Sequence, residues 1–120
     1  MPKTLLSIMR NPENALVFGR VLQDHGYHSL TMSSAAEFQE TLANPEQPID
    51  LALFDITGYD ATIWDWTEQL RTRHIPFFLI SPKESAHLQQ ESLKHGSAAV
   101  LTKPLVIREL IGFIRSILNE

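Results

Sequence analysis

The chain contains no cysteine. Disulfides, thiolate catalysis and cysteine-ligated zinc are therefore excluded, and the absence fits a reducing compartment. Long hydrophobic runs are missing as well. The apolar stretch near the start, "TLLSIM", is too short for a secretory signal, and no span reaches the ~20 residues that cross a bilayer. A membrane role is not expected, and a cytoplasmic location is. Basic residues are few and scattered: 10 Lys and Arg against 14 Asp and Glu give a net charge of −4. That balance, with no Lys/Arg block, argues against nucleic-acid binding. No Gly-rich phosphate loop follows the first apolar run, no Gly-x-Ser-x-Gly occurs, and no histidine closes an apolar run. An enzyme or flavin-type cofactor protein is thus only a remote alternative. The histidines His25, His28, His74, His87 and His95 lack ligand spacing and read as surface positions.

What the chain does have is alternation. Its 120 residues, 43% hydrophobic, suit one domain over residues 1–120. Short apolar runs at 4–9, 27–32, 51–56, 75–81 and 97–102 read as strands. Between and after them, 11–26, 34–42, 61–73, 83–96 and 104–118 read as helices. Asn11 followed by Pro12 is a helix-start signal, Ser34 with Glu37 a capping box, and Gly26 and Gly96 are stops. Ile63, Trp66, Thr67 and Leu70 share one face of the third helix, which points Trp66 inward and Trp64 away from the core. Continuously apolar central strands are buried on both faces. The fold class is therefore α/β, a doubly wound five-stranded parallel sheet with five helices.

In such sheets ligands bind beyond the carboxyl ends of the strands. The first run ends at Met9-Arg10-Asn11, the third at Asp55, the fourth at Ser81 and the fifth at Thr102-Lys103-Pro104. Asp55 is out of place in a strand and costly to desolvate. A carboxylate, a hydroxyl and a lysine meeting at one edge are the groups that phosphoryl transfer onto a carboxylate needs. Asp55 would be the nucleophile, Ser81 a donor to phosphoryl oxygen and Lys103 the neutralising charge. Plainer readings stand beside this one. Asp55 caps a strand, Ser81 caps the next helix through "SPKE", and Lys103 and Arg10 face solvent.

"LFDITG", "FFLISP" and "LTKPL", in that order and with His95-Gly96 before the fifth strand, resemble the receiver domain of bacterial two-component response regulators, the CheY-like family. The resemblance runs from Lys3 to about Leu118. It implies the flavodoxin-like strand order 2-1-3-4-5, and signalling by phosphorelay rather than enzymatic turnover. Asp55 then stands at the phosphoacceptor position, supplied by a histidine kinase or phosphotransfer protein. Ser81 and Lys103 stand at the switch and phosphate-contact positions, and the Lys103-Pro104 bond is expected to be cis.

The chain also departs from the family pattern. Receivers usually carry two adjacent acids at the end of the first strand, and these hold Mg²⁺. Met9 and Arg10 stand there instead, and neither binds a hard cation. Only Asp55, Thr57 and Glu13 remain as weak metal ligands, so Mg²⁺ affinity should fall and no cofactor is otherwise required. Arg10 is expected to replace the metal as a cation and to pair with Asp55. Val100 replaces an aromatic whose ring reports the switch, and Gly58-Tyr59 replaces a Met-Pro pair. The alternative function is a pseudo-receiver that acts by protein–protein contact without phosphorylation. The last helix supports contact of some kind, because its apolar residues cover roughly 160°, wider than a one-sided stripe. The excess centres on Val106 and Phe113, which predicts a protein partner or a second copy on the face of helix 4, strand 5 and helix 5.

Overall fold

The computed structural model describes residues 2–120. Its strands are β1 (Thr4–Ile8), β2 (His28–Met32), β3 (Leu51–Asp55), β4 (Phe77–Ser81) and β5 (Val100–Thr102). The helices are α1 (Pro12–Asp24), α2 (Ala35–Ala43), α3 (Ile63–Thr72), α4 (Ala86–Lys94) and α5 (Ile107–Ile117). All strand pairs are parallel, in the order β2-β1-β3-β4-β5. This is the predicted architecture. No helix among the described residues is long and apolar enough to cross a membrane.

Every residue of β1, β3 and β4 is buried, which explains their predominantly apolar sequences. Neighbouring residues point to opposite faces, so each strand feeds two cores. Leu6, Ile8, Ala52, Phe54, Phe77 and Leu79 pack under α2 and α3 with Phe38, Ile63 and Leu70. Leu5, Leu51, Leu53, Phe78 and Ile80 pack under α1 and α5 with Leu22, Leu110 and Ile114. Trp66 stacks on Phe38 (5.1 Å) as expected, while half-buried Trp64 stacks on His95 (4.3 Å).

The helix starts follow local chemistry. Asn11 Oδ1 accepts from the N–H groups of Glu13 (2.9 Å) and Asn14 (3.1 Å), satisfying two donors at the start of α1. Ser34 and Glu37 form the predicted capping box on α2. Three elements start three residues later than the sequence expectation, the other boundaries differing by less. α4 begins at Ala86 because Ser85, not Ser81, caps it, accepting from Leu88 N–H at 3.1 Å. β5 begins only at Val100, because Ser97 Oγ donates to Ala99 O (2.7 Å) and closes a turn ahead of it. α5 begins at Ile107 rather than Pro104, with Val106 as its N-cap in an extended conformation.

Candidate functional site

The strand order reverses between β1 and β3, whose carboxyl ends part to feed connections on opposite faces. Ile8 lies beside Phe54 in the register, so Met9 and Asp55 emerge together at that crevice. On the other side of β3, Asp55 aligns with Ile80 and Ser81 with Thr102. Lys103 N–H donates to Ser81 O (2.9 Å), which continues the ladder into the Lys103-Pro104 cis peptide. The topology therefore delivers Arg10, Asp55, Ser81 and Lys103 to one edge.

Asp55 is 5% exposed, and both carboxylate oxygens are engaged. Oδ2 lies 2.7 Å from Lys103 Nζ, and Oδ1 accepts from Thr57 N–H at 3.0 Å. Lys103 Nζ also donates to Thr57 Oγ1 (3.4 Å). The two readings of Asp55 are thus compatible. Its first oxygen closes an Asx turn that lets the chain leave the sheet, and its second meets the lysine. Burying a carboxylate here is tolerable only because a cation and an amide donor meet it. A cavity of about 330 Å³ opens over the pair, lined by Arg10, Asn11, Asn14, Asp55, Thr57 and Lys103 among others.

Ser81 is buried at the end of β4, but its hydroxyl is turned to its own loop. Oγ donates to Lys83 O (2.6 Å) and accepts from Lys83 N–H (3.3 Å). It neither caps α4 nor lines the Asp55 cavity.

Arg10 is the principal correction. It makes no ion pair with Asp55. Its Nη1 donates to Gly58 O (2.9 Å), and its guanidinium sits 5.6 Å from the centre of the Tyr59 ring. The reason is competition. Lys103 already occupies the carboxylate, while the turn after β3 presents a carbonyl and a ring face to Arg10. Gly58 has φ +84°, and a Cβ there would lie 3.1 Å from Arg10 Cδ, so a larger residue would strain the turn and crowd Arg10. Tyr59 in turn donates its hydroxyl to Ser33 O (2.7 Å) and packs edge-on against Phe54 and Trp66. Burial raises the Tyr59 pKa, against the opposing pull of Arg10, so the phenol stays a donor. Sequence reasoning missed this brace of Arg10, Gly58, Tyr59 and Ser33. Its one visible signal was Gly58 within "DITGYD", where a turn glycine was evident but its neighbour was not.

The weak metal set does not assemble. Glu13 is exposed and does not line the Asp55 cavity, Met9 is buried, and Arg10 occupies the cavity wall. Among the described residues no three Asp, Glu or His side chains gather where a cation would be held. Mg²⁺ prefers oxygen ligands in near-octahedral array, and this site offers one carboxylate already paired with lysine. The residues present do not fit that ion.

No family model matches the chain. Over its whole length it is 23% identical to the polar-differentiation response regulator DivK of Brucella abortus, of which it covers 99%. A response regulator receiver protein from Burkholderia phymatum superposes with a TM-score of 0.87 at 20% identity, over 98% of this chain and 95% of the other. A CheY-like receiver domain protein from Methanospirillum hungatei gives 0.86 at 23% identity, over 99% and 95%. The chain has the CheY-like receiver fold. Half-buried Val100 presents no ring at the end of the sheet, and Phe113 departs from expectation. Phe113 is half-buried and packs edge-on against Phe78 at 5.1 Å, within the core beneath α1 and α5. Val106 alone of the predicted pair faces solvent, at 52% exposure, on a groove of about 580 Å³ between α4, β5 and α5.

Proposed function

We propose that this receiver works in two-component signal transduction, with Asp55 accepting phosphate from a histidine kinase or phosphotransfer protein and with protein contact as its output. The supporting observation is the buried carboxylate that ends β3, faced at 2.7 Å by a lysine from the far strand and opening on a cavity. An Asp55 oxygen attacks phosphorus, the bond from phosphorus to the donor imidazole breaks, and an aspartyl phosphate forms. Lys103 passes from the carboxylate to a phosphoryl oxygen. Ser81 reaches that phosphate only by giving up its bond to Lys83 O. On this reading the domain signals and turns over no substrate of its own.

Intact-protein mass after incubation with acetyl phosphate tests the proposal. A phosphoryl adduct is expected on the native chain and not on Asp55→Asn. A second reading, contact without phosphorylation, draws support from the engaged hydroxyl of Ser81 and from Val100 in place of a ring. Absence of an adduct, where an ordinary receiver is labelled alongside, would favour it.

A further inference from the structure

A phosphoryl group brings about −1.5 to −2 charge to its site. Around Asp55 the groups that would meet it are two cations, Arg10 and Lys103, the amides of Asn11 and Asn14, and the hydroxyl of Thr57. Asp55 is the one acid in that wall, so the wall carries a formal charge of +1, from two cations and one carboxylate. A divalent cation entering would meet two resident positive charges. A tetrahedral oxyanion would meet donors on several sides. Arg10 is already held, with Nη1 on Gly58 O and the ring plane of Tyr59 below. The rest of its fork makes no hydrogen bond among the described residues. A guanidinium fixed in this way loses little freedom when it takes a phosphoryl oxygen.

We propose that the Asp55 pocket takes its phosphoryl group without a divalent cation, Arg10 and Lys103 together supplying the positive charge. The inference rests on Asp55 being the acceptor. With acetyl phosphate, an Asp55 oxygen forms the new bond to phosphorus. The bond from phosphorus to the acetate oxygen breaks, and acetate leaves with the electron pair. No proton or redox partner is needed. Arg10 holds transferred oxygens and developing charge, the part a metal plays elsewhere.

The experiment is the rate of adduct formation with acetyl phosphate in EDTA and in excess Mg²⁺, read by intact mass. The native chain is expected to label in EDTA at nearly its Mg²⁺ rate. Arg10→Gln should slow labelling in EDTA by at least about tenfold, while Arg10→Lys, which keeps the charge, should retain most of it. Arg10 is exposed, so these variants should fold, and circular dichroism checks that they do. Labelling that requires Mg²⁺ would overturn the metal-free pocket while leaving Asp55 as acceptor. No labelling under either condition would overturn both. Equal rates for native and Arg10→Gln in EDTA would remove Arg10 from the role and sink the proposal. A Mg²⁺ titration followed by tryptophan fluorescence is an independent readout, because Trp66 packs on Tyr59 at 5.6 Å. No saturable change is expected; a saturable change lost in Asp55→Asn would count against the proposal.

Discussion

Lys103 Nζ stands 2.7 Å from Asp55 Oδ2, joining the end of β5 to the end of β3 across β4. The two partners differ in burial, with side-chain exposures of 32% for the lysine and 8% for the aspartate. Losing the lysine strands a buried charge, whereas neutralising the aspartate leaves an amide that Thr57 can still meet. Lys103→Met should therefore destabilise by about 1–2 kcal/mol, after allowing for solvent screening of the lysine. Asp55→Asn should cost less. The double variant should be no worse than Lys103→Met alone. Urea unfolding of the four proteins measures this, and additive losses would show that the two side chains are not coupled.

Gly58 and Arg10 are tied by space as well as by a hydrogen bond. Gly58→Ala places a side chain at φ +84° and 3.1 Å from Arg10 Cδ. The backbone conformation alone should cost about 1–2 kcal/mol. Displacing Arg10 should add to it. In an Arg10→Ala background the steric part disappears and the backbone part remains, so Gly58→Ala should cost measurably less there. Equal cost in both backgrounds would mean that Arg10 yields freely.

The start of α2 should be acid-sensitive. Hydrogen bonds from Ser33 N–H and then from the Ser34 side chain hold the Glu37 carboxyl below the ordinary glutamate range. A carboxylate whose pKa falls on folding adds stability above its unfolded pKa. That contribution disappears as pH falls through the folded value. Amide exchange at Ser34 and Glu37, corrected for intrinsic rates, should therefore accelerate as pH drops below about 4, and Glu37→Gln should flatten the response. The effect is local because the group is exposed.

Val106 and Phe113 should separate cleanly. Val106 is an exposed N-cap, and Val106→Ser should change stability by no more than about 0.5 kcal/mol. Phe113→Ala removes an edge-on partner of Phe78 and should cost about 2–3 kcal/mol. If the groove beside Val106 receives a partner, Val106→Ser should weaken capture of it without lowering the thermal midpoint. A drop in midpoint for Val106→Ser would show that it packs on its own domain.

Local order was legible in the chain because its signals are local. Asn11-Pro12, the Ser34/Glu37 box and Gly26 act over a few residues, and each does what its spacing implies. The buried strands could be read because a parallel sheet covered on both faces leaves no polar side to alternate. Ser85 went unrecognised as the cap of α4 because "SPKES" holds two serines with similar credentials. Choosing between them required knowing that Ser81 is buried at a strand end while Ser85 is free to turn onto Leu88.

The order of residues along the chain is enough to say which chemical groups reach the carboxyl edge: Asp55 and Ser81 close a strand, and Arg10 and Lys103 come within two residues of the end of one. Which of them touch depends on the folded arrangement. Lys103 is 48 residues beyond Asp55, as is Gly58 beyond Arg10, and neither pair is visible in local patterning. One carboxylate met two candidate cations. The nearer took it, and the other settled on a carbonyl and a ring. Competition for a buried charge depends on distances across the sheet, and those exist only once the strands are paired.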